Sequence, residues 1–324
     1  MSVSRWLISG FIVSVFGLTA FAQPPASHRS LRIGLLTRSG TVPDYSAASV
    51  NRGVRLGAAE TRQTANLFGD DVELYEADAG KDVAAAASRL ISERGVQVLM
   101  GSTSQDADPL SRFAETHHVV FLNVASRAQS LRATCRRFTF HVEATDAMYS
   151  NAARAFGRSS RQTTRALPVP SDSVVIWGPS LERYGASQIN DRYRGKYGVG
   201  MDGSAWAGWV AVKIVAEAAL RARSSEPSKL LAYLESSDTQ FDGHKGWPLT
   251  FRIADHQLRQ PLYVVLPAAP GKPRSQSLRD VPELRSVSSG AQRAGSRSGD
   301  RSASEVLDRL ISSPTAPRCS GSKR

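Results

Sequence analysis

Apolar and polar positions in the first half of the chain switch repeatedly between two periods. Leu31-Arg32-Ile33-Gly34-Leu35-Leu36 is a short apolar run of strand character, followed by a polar loop, Thr37-Arg38-Ser39-Gly40-Thr41. Residues 47–65 have helical spacing, with Val50, Val54, Ala58 and Thr61 on one side, and Val72-Glu73-Leu74-Tyr75 alternates as a strand. Residues 82–94 are Ala-rich and helical and stop at Gly95. The next strand, 96–100, is closed by Gly101-Ser102-Thr103-Ser104. A helix over 108–117 has a proline near its start, and Val119-Val120-Phe121-Leu122 is a fourth strand ending in Asn123-Val124-Ala125-Ser126. Four strands alternating with three helices predict an α/β fold with a doubly wound parallel sheet, in a lobe spanning 31–156.

The second half is less regular. A helix over 144–156 runs into the polar, basic stretch Arg158 to Arg165 and then Pro168-Val169-Pro170, so 157–172 reads as a linker at a lobe boundary. Residues 173–176 form a short strand, and helices are expected over 183–196, 206–221 and 227–235. Residues 248–252 and 262–266 read as strands of a hairpin joined through Asp255-His256-Gln257. Together 173–267 make a second, shortened α/β lobe. The tail, 268–324, is rich in Ser, Gly and Arg and reads as mostly disordered, with one short helix at 303–311.

Composition changes this picture in two places. The formal net charge is +12 over 324 residues, which suggests a nucleic-acid partner until the charge is located. Residues 270–324 carry eleven Lys/Arg against five Asp/Glu, with no aromatic residue to stack on bases, so a solvated tail is favoured over a nucleic-acid-binding one. At the other end, residues 1–22 read as a cleavable secretory signal: Arg5, an apolar run from Trp6 to Leu18, and Ala20-Phe21-Ala22 before Gln23. That run is shorter than a spanning helix needs, so no membrane insertion is expected after cleavage. The mature chain is placed in the periplasm, a compartment that argues against nucleic acid and permits Cys135 and Cys319 to pair.

In an open parallel sheet, ligands bind outside the carboxyl ends of the strands. Three of these ends carry small polar residues: Thr37 and Ser39; Ser102, Thr103 and Ser104; Asn123 and Ser126. Short polar side chains and free amides at helix N-termini suit a carboxylate or another small anion. Helix capping would account for any one of these loops, whereas their recurrence along one edge favours binding. No nucleophile elbow, phosphate loop or metal-ligand spacing is present, the glycines of 195–200 follow a helix and form a turn, and the six histidines are scattered. Neither a catalytic set nor a cofactor is expected. Glu143 and Asp146 read as first-turn acids of a helix.

Several segments resemble a known family. They are Phe121-Leu122-Asn123-Val124-Ala125-Ser126, Ser130-Leu131-Arg132, Cys135-Arg136-Arg137 and Phe140 through Tyr149; then Trp206-Ala207-Gly208-Trp209, Lys245-Gly246-Trp247-Pro248 and Asp255-His256-Gln257-Leu258-Arg259-Gln260-Pro261. They look like the type I periplasmic solute-binding proteins of ABC transporters for branched-chain amino acids. More narrowly, they resemble a subfamily found with pyrroloquinoline-quinone-dependent alcohol dehydrogenase systems. The resemblance implies two α/β lobes, a small-molecule solute held between them without catalysis, and an ABC permease as partner. It places Ser102, Thr103, Ser104, Asn123, Ala125 and Ser126 at the ligand, with Tyr149 beside them, and implies a Cys135–Cys319 disulfide. The chain departs from the family in lacking most of the second lobe's β-α units. This leaves a second function open: an accessory protein of the alcohol-oxidation system that has lost its solute.

Overall fold

The structure is a computed structural model, and it describes residues 29–39, 44–160, 169–266, 277–280 and 297–311. Its central element is a five-stranded parallel sheet. Strands β1 (Ser30–Thr37), β2 (Asp71–Asp78), β3 (Val98–Gly101), β4 (Val120–Asn123) and β5 (Thr139–His141) lie in the order β2-β1-β3-β4-β5. The sheet is interleaved with helices α1 (Tyr45–Asn66), α2 (Val83–Arg94), α3 (Ala107–His117) and the short α4 (Gln129–Ala133). The fifth strand was not expected from the sequence, because only three residues of Thr139–His141 pair.

Side-chain alternation along the strands divides the core between the two faces. Leu31, Ile33 and Leu35 with Val98, Met100, Val120 and Leu122 face α1, whereas Leu36, Leu99 and Phe121 face α2 and α3. Both faces are covered, as a parallel sheet requires. Asp82 caps α2 by accepting from the Ala84 and Ala85 amides, and Gly95 ends the helix in the left-handed conformation.

Helix α5 (Asp146–Ser160) follows the sheet, and the segment expected as a short second α/β lobe, 173–267, consists of small pieces. Strand β6 (Val174–Val175) precedes helices α6 (Ala186–Tyr197), α7 (Gly203–Ala222) and α8 (Pro227–Leu234). Strands β7 (Phe241–Asp242), β8 (Pro248–Phe251), β9 (Leu258–Arg259), β10 (Tyr263–Leu266) and β11 (Ser277–Asp280) follow. Among the described residues there is no second parallel sheet; β7-β8-β9 and β6-β10-β11 are antiparallel groups of three. These elements share one apolar core with the α1 face of the main sheet.

The expected hairpin between 248–252 and 262–266 is not formed. β8 pairs with β7 and β9, and β10 pairs with β6 and β11. The turn closes early because Asp255, ion-paired to Arg252, also accepts from the Gln257 amide. Pro261, which has no N–H, then separates β9 from β10. The tail also departs from a wholly solvated segment. Helix α9 (Arg297–Leu310) begins earlier than the expected 303–311 and buries Val306, Leu307, Leu310 and Ile311 against α5, with Asp308 paired to Arg259. The proposed signal at 1–22 and Cys319 lie outside the described residues.

The closest helix packing is between α1 and α7, and it depends on glycine. A Cβ added at Gly53 would lie 1.9 Å from the Ala205 carbonyl oxygen, one at Gly57 2.8 Å from Trp209 O, and one at Gly208 2.6 Å from Val50 O. The two backbones are therefore in contact, and the Trp206-Ala207-Gly208-Trp209 segment is a packing motif. Gly53→Ala should destabilise the protein by at least about 1–3 kcal/mol, the range of an overpacked core. Gly195→Ala, in α6 with open space around it, should be neutral or stabilising by up to about 1 kcal/mol. Urea unfolding of the two variants checks the contrast, and equal midpoints would contradict backbone contact.

Candidate ligand site at the carboxyl rim of the sheet

Parallel register places the ends of β3 and β4 side by side, with Met100 opposite Leu122. The loop Ser102-Thr103-Ser104 therefore lies next to Asn123-Val124-Ala125-Ser126, and the structure brings the two predicted loops together. Most of their side chains, however, are committed to holding the loops. The Thr103 hydroxyl donates to Asp106 at 2.6 Å. Asn123 Oδ1 accepts from the Ser126 amide at 2.8 Å and from the Ala125 amide at 3.4 Å, while its Nδ2 donates to Ser126 O at 2.8 Å. The Ser126 hydroxyl accepts from the Ala128 amide at 3.4 Å. The Tyr149 hydroxyl donates to Glu143 Oε1 at 2.6 Å. Loop closure, not helix capping, thus accounts for the side chains of Thr103, Asn123 and Ser126.

Ser102 is different. It is 1% exposed, its amide donates to Leu36 O, and its hydroxyl has no hydrogen-bond partner among the described residues. An unpaired buried hydroxyl costs about 1–3 kcal/mol. Beside it begins a short 3-10 turn, Ser104–Asp106, that continues into α3, and neither Thr103 nor Asp106 caps it with a side chain. The N-terminal amides of this unit therefore lack the usual side-chain acceptor. Ser104 is exposed, so it lies on the open side of the rim.

Two charged groups that the sequence did not single out, Arg38 and Arg127, frame the site. Arg38, in the loop after β1, makes a two-armed pair with Asp106, with contacts of 2.6–3.1 Å, and donates to Gly80 O at 2.7 Å. It thereby ties the loops after β1, β2 and β3 together, and its bond to Asp106 raises its already high pKa. Arg127, half exposed and directly after Ser126, stacks 4.2 Å above the Tyr149 ring and lies 3.5 Å from Glu143 Oε1. Its place in the loop after β4 was the only sequence signal for it.

Glu143 is buried and precedes α5, so it is not the first-turn acid that its position suggested, whereas Asp146 is. Burial raises its pKa, and Arg127, Tyr149 and Arg132 act against that rise. Burial likewise pushes the Tyr149 phenol well above its ordinary value. At the rim, then, the groups with capacity for a ligand are the Ser102 hydroxyl, the uncapped amides after it, and the outer edge of the Arg127 guanidinium. A small anion fits all three.

Beneath the rim lies a buried polar network. Arg132 Nη1 donates to Ser126 O and Ala128 O, its Nη2 to Glu143 O, and its Nε to Gln257 Oε1, at 2.7–3.1 Å. Burial lowers its pKa to about 10, so it remains a cation at neutral pH. Gln257 Nε2 donates to His141 O and Glu143 O, and Gln260 Nε2 to Val142 O. Lys245 Nζ donates to Gln260 Oε1 and Pro261 O and sits 3.8 Å above the Trp206 ring.

Comparison with known proteins gives a consistent result. Residues 30–172 match the model of a family described as periplasmic binding protein. No curated protein matches at the sequence level. Among solved structures, a branched chain amino acid ABC transporter periplasmic ligand-binding protein from Burkholderia xenovorans LB400 superposes with a TM-score of 0.64 at 12% identity, covering 77% of this chain and 94% of its own. The branched-chain amino acid transporter substrate binding protein LivJ from Streptococcus pneumoniae, in complex with isoleucine, gives 0.59 at 15% identity, covering 78% and 100%. A solute binding protein from R. palustris in complex with benzoate gives 0.60 at 14% identity, covering 78% and 96%.

Glu143 provides a pH test of the site. Its folded pKa is raised, so the fold binds this proton more tightly than the unfolded chain does. The contribution of Glu143 to stability should therefore fall as pH rises from the ordinary value of 4.5 through the raised one, and level off above it. Glu143→Gln keeps an acceptor for Tyr149 and removes that fall. Its stability relative to wild type should rise across the interval, measured by urea midpoints from about pH 4 to 8. Parallel profiles would contradict the assignment.

Proposed function

We propose that this chain, which has the type I periplasmic binding protein fold, is the extracytoplasmic solute-binding component of an ABC-type uptake system and performs no catalysis. The observation that carries the reading is the partnerless Ser102 hydroxyl beside an uncapped helix start, on the sheet edge where doubly wound folds bind ligands. A carboxylate would fill both vacancies, and Arg127 would face the same charge. The fold neighbours found with isoleucine and with benzoate both hold carboxylate-bearing molecules, which supports that class of solute here.

Isoleucine and benzoate are the first probes. At a hundredfold over its dissociation constant, a true ligand should stabilise the fold by about 2.7 kcal/mol, read as a rise in thermal midpoint. Ser102→Ala should weaken that ligand about tenfold, equivalent to the roughly 1.4 kcal/mol of one hydrogen bond. If no small carboxylate raises the midpoint, the alternative gains: an accessory protein of a quinone-dependent alcohol-oxidation system that no longer binds solute. Two features favour that alternative, the commitment of Thr103, Asn123, Ser126 and Tyr149 to internal partners and the reduced second α/β unit.

The periplasmic assignment carries its own test. Among the described residues no helix is long and apolar enough to cross a membrane. The chain contains two cysteines, Cys135 and Cys319. Secreted protein should begin at Gln23 and give a single Cys135–Cys319 peptide on non-reducing mapping. Two free thiols would remove both the pairing and its argument for an oxidising compartment.

A further inference from the structure

The end of the sheet opposite the candidate site holds a cavity of about 660 Å³. It opens between the C-terminal ends of α1 and α7 and the first residues of β1 and β2, and its size lies within the range of small-molecule pockets. Its apolar wall comprises Leu31, Ala65, Phe68, Val72, Ala219 and Leu220. Phe68, 61% exposed, presents its ring at the mouth of this cavity.

The charges around the cavity are paired, with one exception. Arg29 is bound to Asp70, Arg62 to Asp71, and Arg221 lies 3.8 Å from Glu217. Lys213, half-buried in the wall, has no carboxylate within ion-pair distance among the described residues. Its ammonium contacts only the face of Trp209, 4.8 Å from the ring centroid. The nearby Glu60 is already taken by Arg192 and by the Trp209 indole N–H. The cavity therefore presents one uncompensated cation at the edge of an apolar surface.

We propose that this cavity is a second binding site, specific for amphipathic monoanions: a carboxylate against Lys213 and a hydrocarbon body against Phe68 and Leu220. It lies at the other end of the strands from Ser102, so it neither uses nor requires the rim. A ligand here would cover the Phe68 ring and pair Lys213, the one cation of the wall that lacks a carboxylate among the described residues.

The test is isothermal titration of the mature protein with sodium decanoate and with the uncharged decanol. Decanoate should bind at one site per chain, at least tenfold more tightly than decanol. Lys213→Met should bring decanoate down to the level of decanol, and Thr64→Trp, which puts a large ring into the cavity from an exposed position, should abolish binding of both. Thermal midpoints near wild type confirm that the variants fold. The absence of saturable binding would overturn the proposal. So would decanoate binding that is equal in wild type and both variants, or a dimer that dissociates in Thr64→Trp, which would mean that a second copy covers this face. Ser102→Ala separates the two sites: it should weaken a carboxylate held at the rim and leave decanoate at the cavity unchanged, whereas Lys213→Met should do the reverse, so the two sites can fail independently.

Discussion

A single buried guanidinium ties together parts of this fold that lie more than a hundred residues apart in sequence. Arg132 has no exposed face to speak of, and its bonds run to the rim loop after β4, to the crossover after β5, and to Gln257 more than a hundred residues later. Gln257 and Gln260 return the connection to the same crossover through the carbonyls of residues 141–143, and Lys245 closes the chain of bonds at Gln260 and Pro261. Such a network stabilises only when it is complete. Removing one partner of a buried charge costs about 3–5 kcal/mol, because the remainder is left unsolvated. A lysine in place of Arg132 would be no substitute, since four acceptors in divergent directions match a planar fork and not a point charge. The family-like run Asp255-His256-Gln257-Leu258-Arg259-Gln260-Pro261 is thereby explained as architecture. It fastens the C-terminal strands to the edge of the main sheet, where His141 and Gln257 form a parallel bridge.

This fastening determines what the rim can be. Ser126 holds its position because its carbonyl is gripped by both Arg132 and Asn123, and Glu143 is buried because the backbone around it is pinned by the same donors. On the other side of the sheet edge, Arg38 and Asp106 do the equivalent for the loops after β1, β2 and β3. Rigid loops of this kind lose little entropy on binding, which is the condition for small polar groups to discriminate between ligands. The α1–α7 contact works in the same direction at a larger scale: with Gly53, Gly57 and Gly208 the helices meet backbone to backbone, so the sheet face beneath them has little room to shift.

The parts of this structure that were legible in the sequence were those with local causes. The four main strands and their helices followed from uninterrupted periodicity, and the end of α2 from Asp82 and Gly95. β5 was missed because three residues carry no detectable period, and the hairpin was misassigned because the pairing of β8 is decided by one Arg252–Asp255 contact and one proline. The rim loops were found by position on the sheet, a property of topology. Their chemistry was not, because whether a hydroxyl is available depends on neighbours far along the chain. Thr103 and Ser102 are adjacent and similar, yet one is bonded to Asp106 and the other is bonded to nothing described. Arg127 and Arg38 had no signature beyond being next to a loop already marked.

The distinction between those two residues bears on what kind of recognition this fold can support. A cleft closed between two full lobes surrounds its ligand, so specificity can be distributed over many side chains. Here the elements after residue 171 form small antiparallel pieces that share the first lobe's core, and most rim side chains already have partners. On the proposed reading, recognition falls on backbone amides, one hydroxyl and one arginine edge. Those groups select for charge and for a small head, and they are nearly indifferent to what the head is attached to. The buried position of Ser102 is then the decisive feature: an anion that reaches it is removed from water, where each hydrogen bond and the helix terminus act at their full strength. One that stays at the exposed level of Ser104 and Arg127 meets only screened charge. On the proposed reading, affinity is a question of depth, set by whether the solute's head is slim enough to reach the buried Ser102 hydroxyl, which has no partner among the described residues.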